Sequence, residues 1–212
     1  MSADRFAAAV AAEVLAAAGA RRDLLQSIAD VARDIFVAGG TSVATLAPVG
    51  NDLVFEAVAG EGLADLVGAR FPSGEGIAGA VAASGEASVI EDVSRDPRFA
   101  QHVAAEIGYM PRSLMAAPLK AGARVLGVIE VLDRGDDRPS ADALRLLESV
   151  ATQAGLAVDL GEAARRAAAV VAEQDDPELA AVLALARRLA ALDAQRRGAA
   201  ARLMAALEEL LR

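Results

Sequence analysis

The chain has 212 residues, of which 55% are hydrophobic and only 3% aromatic, and a formal net charge of -9, enough for one substantial core plus an appendage but short for two enzyme domains. It contains no cysteine and a single histidine, His102, which removes disulfides, thiolate nucleophiles, zinc-thiolate centres, thioether-linked cofactors and multi-histidine metal sites together. The acidity is uneven, with 13 basic and 22 acidic side chains in residues 1–160 against 8 of each in 161–212, so the main body repels phosphate backbones and anionic lipid, and neither nucleic acid nor membrane is an expected partner.

Every Ala-rich stretch meets an Arg, Asp or Glu before reaching the roughly 18–20 apolar residues of a membrane span. Met1-Ser2-Ala3-Asp4-Arg5 lacks a basic region followed by an apolar run, so no secretion signal is expected and a cytoplasmic location is. In chain order, Phe6, Val10, Val14 and Leu15 predict a helix over 3–18, with Ser2 as N-cap and Gly19 as stop. Leu24, Ile28, Val31 and Ile35 predict a second helix over 21–37, ended by Gly39-Gly40.

From Thr41 the period becomes that of strands. Thr41–Ala47 and Leu53–Ala59 flank the turn-rich stretch 48–52 and predict an antiparallel hairpin. A Gly-rich turn at 72–76 leads into a short helix over 77–83, a short strand follows at 87–90, and a long connection runs over 91–111 with a helical piece near 98–107. Connections of that length in a small domain tend to be lids or binding loops. Ser113–Leu119 and Val125–Leu132 are almost wholly apolar strands, and Ser140 caps a helix striped with Leu144, Leu147, Val150, Ala151, Ala154 and Val158. That helix has no terminator before Gln174, although Gly155 and Gly161 weaken it; Asp176 and Pro177 then start a last helix over 177–211.

Four stretches in this order resemble the GAF domain family: Phe71-Pro72-Ser73-Gly74-Glu75-Gly76-Ile77-Ala78-Gly79; Val89-Ile90-Glu91-Asp92-Val93 with Asp96-Pro97-Arg98-Phe99; Arg112-Ser113-Leu114-Met115-Ala116-Ala117-Pro118-Leu119; and Leu126-Gly127-Val128-Ile129-Glu130-Val131-Leu132. The resemblance implies an α/β (α+β) fold of GAF/PAS type. Its twisted antiparallel sheet has five or six strands, with the terminal helices on one face and the 60–111 connections closing a pocket on the other. The expected division is a helix at 1–20, the GAF-like domain at 21–160 and a helical extension at 161–212, a hairpin or coiled coil.

Chemistries found in the family are then weighed residue by residue. Covalent bilin attachment and the reduction of free methionine sulfoxide need a cysteine, which this chain lacks. Haem-binding members place a histidine just before the strand matching 113–119, where this chain has Gly108-Tyr109-Met110-Pro111, so haem would fall to His102 or Met110; the cyclic-nucleotide pattern is not recognisable, and the sole lysine is Lys120. No cofactor is assigned and no catalytic set can be assembled.

The candidate ligand-binding residues are Asp92, Arg98, Phe99, His102, Tyr109, Arg112, Ser113 and Met115, which offer acceptors, an anion clamp, apolar walls and a titratable group. Each has a plainer alternative: Asp92 and Asp96 as turn caps, Arg98 paired with a neighbouring carboxylate, His102 solvated, Tyr109 and Met115 as packing. Ser73-Gly74-Glu75-Gly76 is either an anion-holding turn or a structural one. Glu130, inside an apolar run, either edges a pocket or faces solvent at a strand end. The expected function is a non-catalytic GAF-type sensor or regulatory module, a homodimer through its N- and C-terminal helices, binding a small molecule or a protein partner. The alternatives are a scaffold with a ligand-free domain that works through its C-terminal helices, and a haem or cyclic-nucleotide sensor. Arg187-Arg188 and Arg196-Arg197 read as solvated helix faces rather than an RNA site, because the tail is charge-neutral.

Overall fold

Runs of β-branched and small apolar residues build the sheet, and the two chain ends supply helices long enough to cover it. The computed structural model describes residues 3–172 except Ser73, His102, Val103, Glu106, Ile107 and 137–139. The expected Pro177 turn and the helix over 177–211 lie outside the described residues. Helices α1 (Ala3–Phe36), α2 (Gly76–Ser84) and α3 (Ser140–Ala172) accompany strands β1 (Gly40–Leu46), β2 (Leu53–Gly60), β3 (Arg70–Phe71), β4 (Ser88–Ile90), β5 (Leu114–Ala121) and β6 (Arg124–Leu132). The strands form one sheet in the order β3-β2-β1-β6-β5-β4, and every pairing is antiparallel.

Two apolar clusters sandwich the sheet. On one side Leu25, Ala29, Ala32 and Phe36 of α1 and Ala143, Leu147, Ala151 and Ala154 of α3 pack on Val43, Ala117, Ile129 and Val131. On the other, Ile77, Ala78 and Val81 of α2, with Leu63 and Leu66, cover Ala44, Phe55, Ala116 and Val128. Strand β6 serves both, Ile129 and Val131 facing the terminal helices and Val128 and Leu132 the connections, as the two-residue period of a strand requires. The Thr41 hydroxyl donates to the Ala29 carbonyl at 2.7 Å and ties β1 to α1.

The chain divides into two compact units, one of residues 22–159, which holds the sheet, and one of 1–21 with 160–212. Of the second, 3–21 and 160–172 are described. There Gly161 lies against the Arg21 side chain, where a Cβ would collide with it. Among the described residues no helix is long and apolar enough to cross a membrane.

Three sequence expectations are corrected. The helices over 3–18 and 21–37 are one helix, α1, running through Gly19. A glycine inside a helix costs only about 1 kcal/mol relative to alanine, and Gly19 does not adopt the left-handed backbone of a helix stop. Gly39-Gly40 does not end α1. The stop is Val37, at φ 49°, with the Ala38 N–H donating to the Arg33 carbonyl at 2.9 Å and the Val37 N–H to the Asp34 carbonyl at 3.2 Å, the Schellman pattern with valine in the glycine position. Ser140 lies within α3 rather than before it, and its hydroxyl donates to Glu91 Oε1 at 2.6 Å. Gly155, expected to weaken α3, is where that helix touches the sheet: a Cβ there would stand 2.5 Å from the Lys120 carbonyl oxygen.

Candidate functional site

The site begins with an irregularity in β2. Val43 pairs with Ala57 and Ala44 with Phe55, leaving Glu56 unopposed as a bulge. An extra residue shifts the strand's parity, so Leu53 and Phe55 belong to the cluster under the connections whereas Ala57 and Ala59 belong to the cluster under the terminal helices. The Thr45 hydroxyl donates to the Glu56 carboxylate and holds the bulge.

Beside Phe55, β1 and β6 set Ser42 opposite Glu130. Ser42 Oγ donates to Glu130 Oε2 at 2.8 Å, and the two residues are 1% and 9% exposed. These groups form the floor of a cavity of about 100 Å³. Leu63, Leu66 and Phe71 stand on one side, the segment Glu75–Ala78 at the start of α2 on another, and Phe99, Ala100, Ala104, Tyr109 and Pro111 above. Burial pushes the Glu130 carboxyl above the usual carboxylate range, and the Ser42 hydrogen bond opposes it only in part.

Asp133 anchors the returning end of the long connection. One of its oxygens accepts the backbone N–H groups of Arg112 at 2.6 Å and Ser113 at 3.1 Å, and the other accepts the Tyr109 hydroxyl at 2.8 Å. Burial, then the hydrogen bond and charge of Asp133, raise the Tyr109 phenol to about 12. Gly39 leaves the room this hydroxyl occupies, since a Cβ there would collide with it.

The structure therefore brings Phe99 and Tyr109 together in the cavity and sends most other sequence candidates elsewhere. Asp92 caps a turn, accepting from the Ser94 N–H at 3.1 Å and the Ser94 hydroxyl at 2.6 Å, which hold its carboxyl low. Arg98 forks onto Asp96 at 2.9 and 2.6 Å; that bond lowers the Asp96 carboxyl and raises the guanidinium. Arg112 is exposed, and Ser113, half-buried, donates its N–H to the Asp133 carboxylate and accepts the Asp133 N–H on its carbonyl. Met115 is buried in the cluster beneath the terminal helices. His102 lies outside the described residues. In the Gly-rich turn, the Glu75 N–H donates to the Pro72 carbonyl at 3.1 Å, and Gly79 packs on the Gly74 backbone, so the turn braces α2. Ser42, Phe55 and Phe71 were absent from the sequence candidates. Glu130, a charge inside Val128-Ile129-Glu130-Val131, was the one signal that pointed at the floor.

An antiparallel sheet with terminal helices on one face and a pocket under long connections on the other defines an α+β domain of the GAF/PAS kind. The chain belongs to the GAF domain family, whose model matches residues 20–158. It is similar to the Nif-specific regulatory protein of Azospirillum lipoferum, 28% identical over 155 residues, covering 70% of this chain and 25% of that one. In structure it is similar to the GAF domain of a phosphoenolpyruvate-protein phosphotransferase from Coxiella burnetii, with a TM-score of 0.61, 17% identity, and coverage of 76% of this chain and 98% of that one. It is also similar to free methionine-R-sulfoxide reductase from Neisseria meningitidis, with a TM-score of 0.55, 21% identity, and coverage of 79% and 95%. The chain spans a quarter or less of the curated relatives it matches. GAF domains are generally regulatory, although some structural neighbours are enzymes.

Proposed function

We propose that the chain is a non-catalytic GAF sensor of the cytoplasm that takes up a small molecule in this cavity, pairs with a second copy through its long helices and passes its state to a protein partner. The observation that carries the reading is the Ser42–Glu130 pair at the floor of a cavity lined mainly by apolar side chains. A carboxyl in such a place costs several kcal/mol unless a partner compensates it, and a ligand group is a partner that comes and goes. The regulatory name of the Azospirillum relative supports the sensing half. The pairing half is supported by α1, where Leu24 and Val31 are half exposed beside the partly buried Ile28 and Ile35, an apolar stripe at heptad spacing.

The same stripe favours a second reading, a scaffold whose cavity stays empty and which works through its helices alone. Native mass spectrometry of the full chain purified from its own host separates the two. A dimer mass carrying a small molecule is expected. A bare mass, with no metabolite raising the melting temperature, would remove the sensor reading, and a monomer mass would remove the pairing.

A further inference from the structure

We propose that the ligand of this cavity is a small ammonium cation on an apolar body, with Glu130 as its counter-ion and Phe55, Phe71, Phe99 and Tyr109 as its aromatic walls. The inference rests on the sensor reading and deepens it. The chain has six aromatic residues, five Phe and one Tyr, and four of them line this one cavity. Packing alone does not demand that concentration, because the cluster under the terminal helices is built with a single aromatic residue, Phe36. Ring faces carry negative electrostatic potential and attract cations, most strongly where water is excluded. Phe55 and Phe71 stand edge to face, with centroids 5.2 Å apart and planes at 90°, and so form a corner rather than a flat stack.

The charged groups agree with the rings. Glu75 and Glu130 line the cavity, and among the described residues no Lys or Arg does. Ser42 engages Oε2 of Glu130. Oε1 has no protein hydrogen bond among the described residues and is not sealed from the cavity. An anionic ligand, a cyclic nucleotide included, would bring its charge against the buried Glu130 carboxyl, a costly arrangement in apolar surroundings. A neutral alcohol can donate to Glu130 but supplies no compensating charge. An ammonium supplies both. The free volume of about 100 Å³ is smaller than the roughly 150 Å³ void that admits a benzene ring, so the enclosed part of the ligand is a short aliphatic chain.

The test is a titration of the full chain at neutral pH with n-butylamine, n-butanol and butyrate. Tyr109 is the only tyrosine and there is no tryptophan, so ultraviolet-excited emission reports on this cavity. The expected result is a saturable change with n-butylamine at an affinity at least about tenfold above that of n-butanol, and none with butyrate. Glu130→Gln, which keeps an acceptor for Ser42, is expected to erase the preference for amine over alcohol; should that variant not fold, the ranking of the three probes on the wild-type chain carries the test alone. Alcohol or butyrate binding as tightly as the amine, or no saturable response to the amine, overturns the ligand class. The mass of the chain from its own host then distinguishes the failures: a retained small molecule leaves the sensor reading standing, and an empty chain whose melting temperature no metabolite raises removes both.

Discussion

On the helix-covered face of the sheet, α1 and α3 press small and aliphatic side chains against the strands, and the buried polar group there, Thr41, is satisfied by the Ala29 carbonyl. Gly155 brings α3 within backbone contact of Lys120, leaving no room for a side chain at that position. On the opposite face, shorter elements cover the same strands, and the layer holds Ser42, Glu130 and a cavity. The difference assigns the two sides different work. A closely packed apolar layer supplies the stability that a small domain needs, and the surplus is spent on a second layer that is incompletely filled and contains a group preferring a partner.

The contrast is broken most directly by equal truncations on its two sides. Leu147→Ala, at a fully buried position on α3, is expected to cost about 2–5 kcal/mol toward the upper end, because α3 is pinned and cannot collapse into the gap. Leu63→Ala removes atoms equally buried but already bordering the cavity, so fewer contacts are lost and the cost falls toward the lower end of the same range. Urea denaturation measures both. Equal losses would mean that the cavity is no softer than the core.

A smaller effect is expected where the roof is tied down. Asp133→Ala removes the acceptor of two backbone N–H groups and of the Tyr109 hydroxyl, at about 1–3 kcal/mol. Burial and Asp133 push the phenol up to about 12 in the intact chain; in the variant its ultraviolet absorbance is expected to titrate lower, yet above the ordinary value of 10.0, because burial is the larger cause. The folded phenol ionises later than the unfolded one, so stability present at lower pH is lost as pH rises from about 10 to about 12. On the other side of the sheet Val37→Gly is expected to add about 1 kcal/mol, since it relieves a β-branched residue held at positive φ in the α1 stop.

The sheet was legible because its strands are marked by composition: β5 and β6 are apolar along most of their length, with Lys120 and Arg124 at the turn between them and Glu130 the one charge inside, as strands covered on both faces should be. The misplaced features share one cause, namely that a residue type says what it tolerates and not where the chain uses it. Gly19 tolerates a helix interior, Gly39 is needed beneath Tyr109, and the stop fell to Val37. In the Leu53–Gly60 run nothing marks the bulge at Glu56, since the burial pattern alternates without a break across it; the step that turns Phe55 toward the cavity is visible only in the pairing with β1. In the 91–111 connection no period fixes the direction of each side chain, so Asp92 and Arg98 were as eligible as Phe99. Glu130 was readable for the opposite reason. A charge in an unbroken apolar strand has to be explained.

Glu130→Gln is the gentlest way to sharpen the comparison, because it changes the floor of the cavity by one ionisable group and leaves its shape alone. Burial holds the folded-state value above the ordinary 4.5. Below about 4.5 the carboxyl is protonated in folded and unfolded chains alike, and Gln and Glu should be nearly equivalent. As pH rises past that value the unfolded chain gives up its proton while the folded one resists, so the unfolded state binds fewer protons and wild-type stability falls. The amide has no proton to release. The other ionisable groups are common to both chains, so their contributions largely cancel in the difference. A small rise in Tm for Glu130→Gln at neutral pH, closing on acidification toward pH about 4, is therefore the expected signature of a carboxyl held in the domain against its own preference. If the ammonium proposal holds, adding n-butylamine reverses the order of the two chains, because only the carboxylate gains a counter-charge from it. A variant that is less stable than wild type at every pH, with or without the amine, would mean that Glu130 serves the fold rather than the ligand.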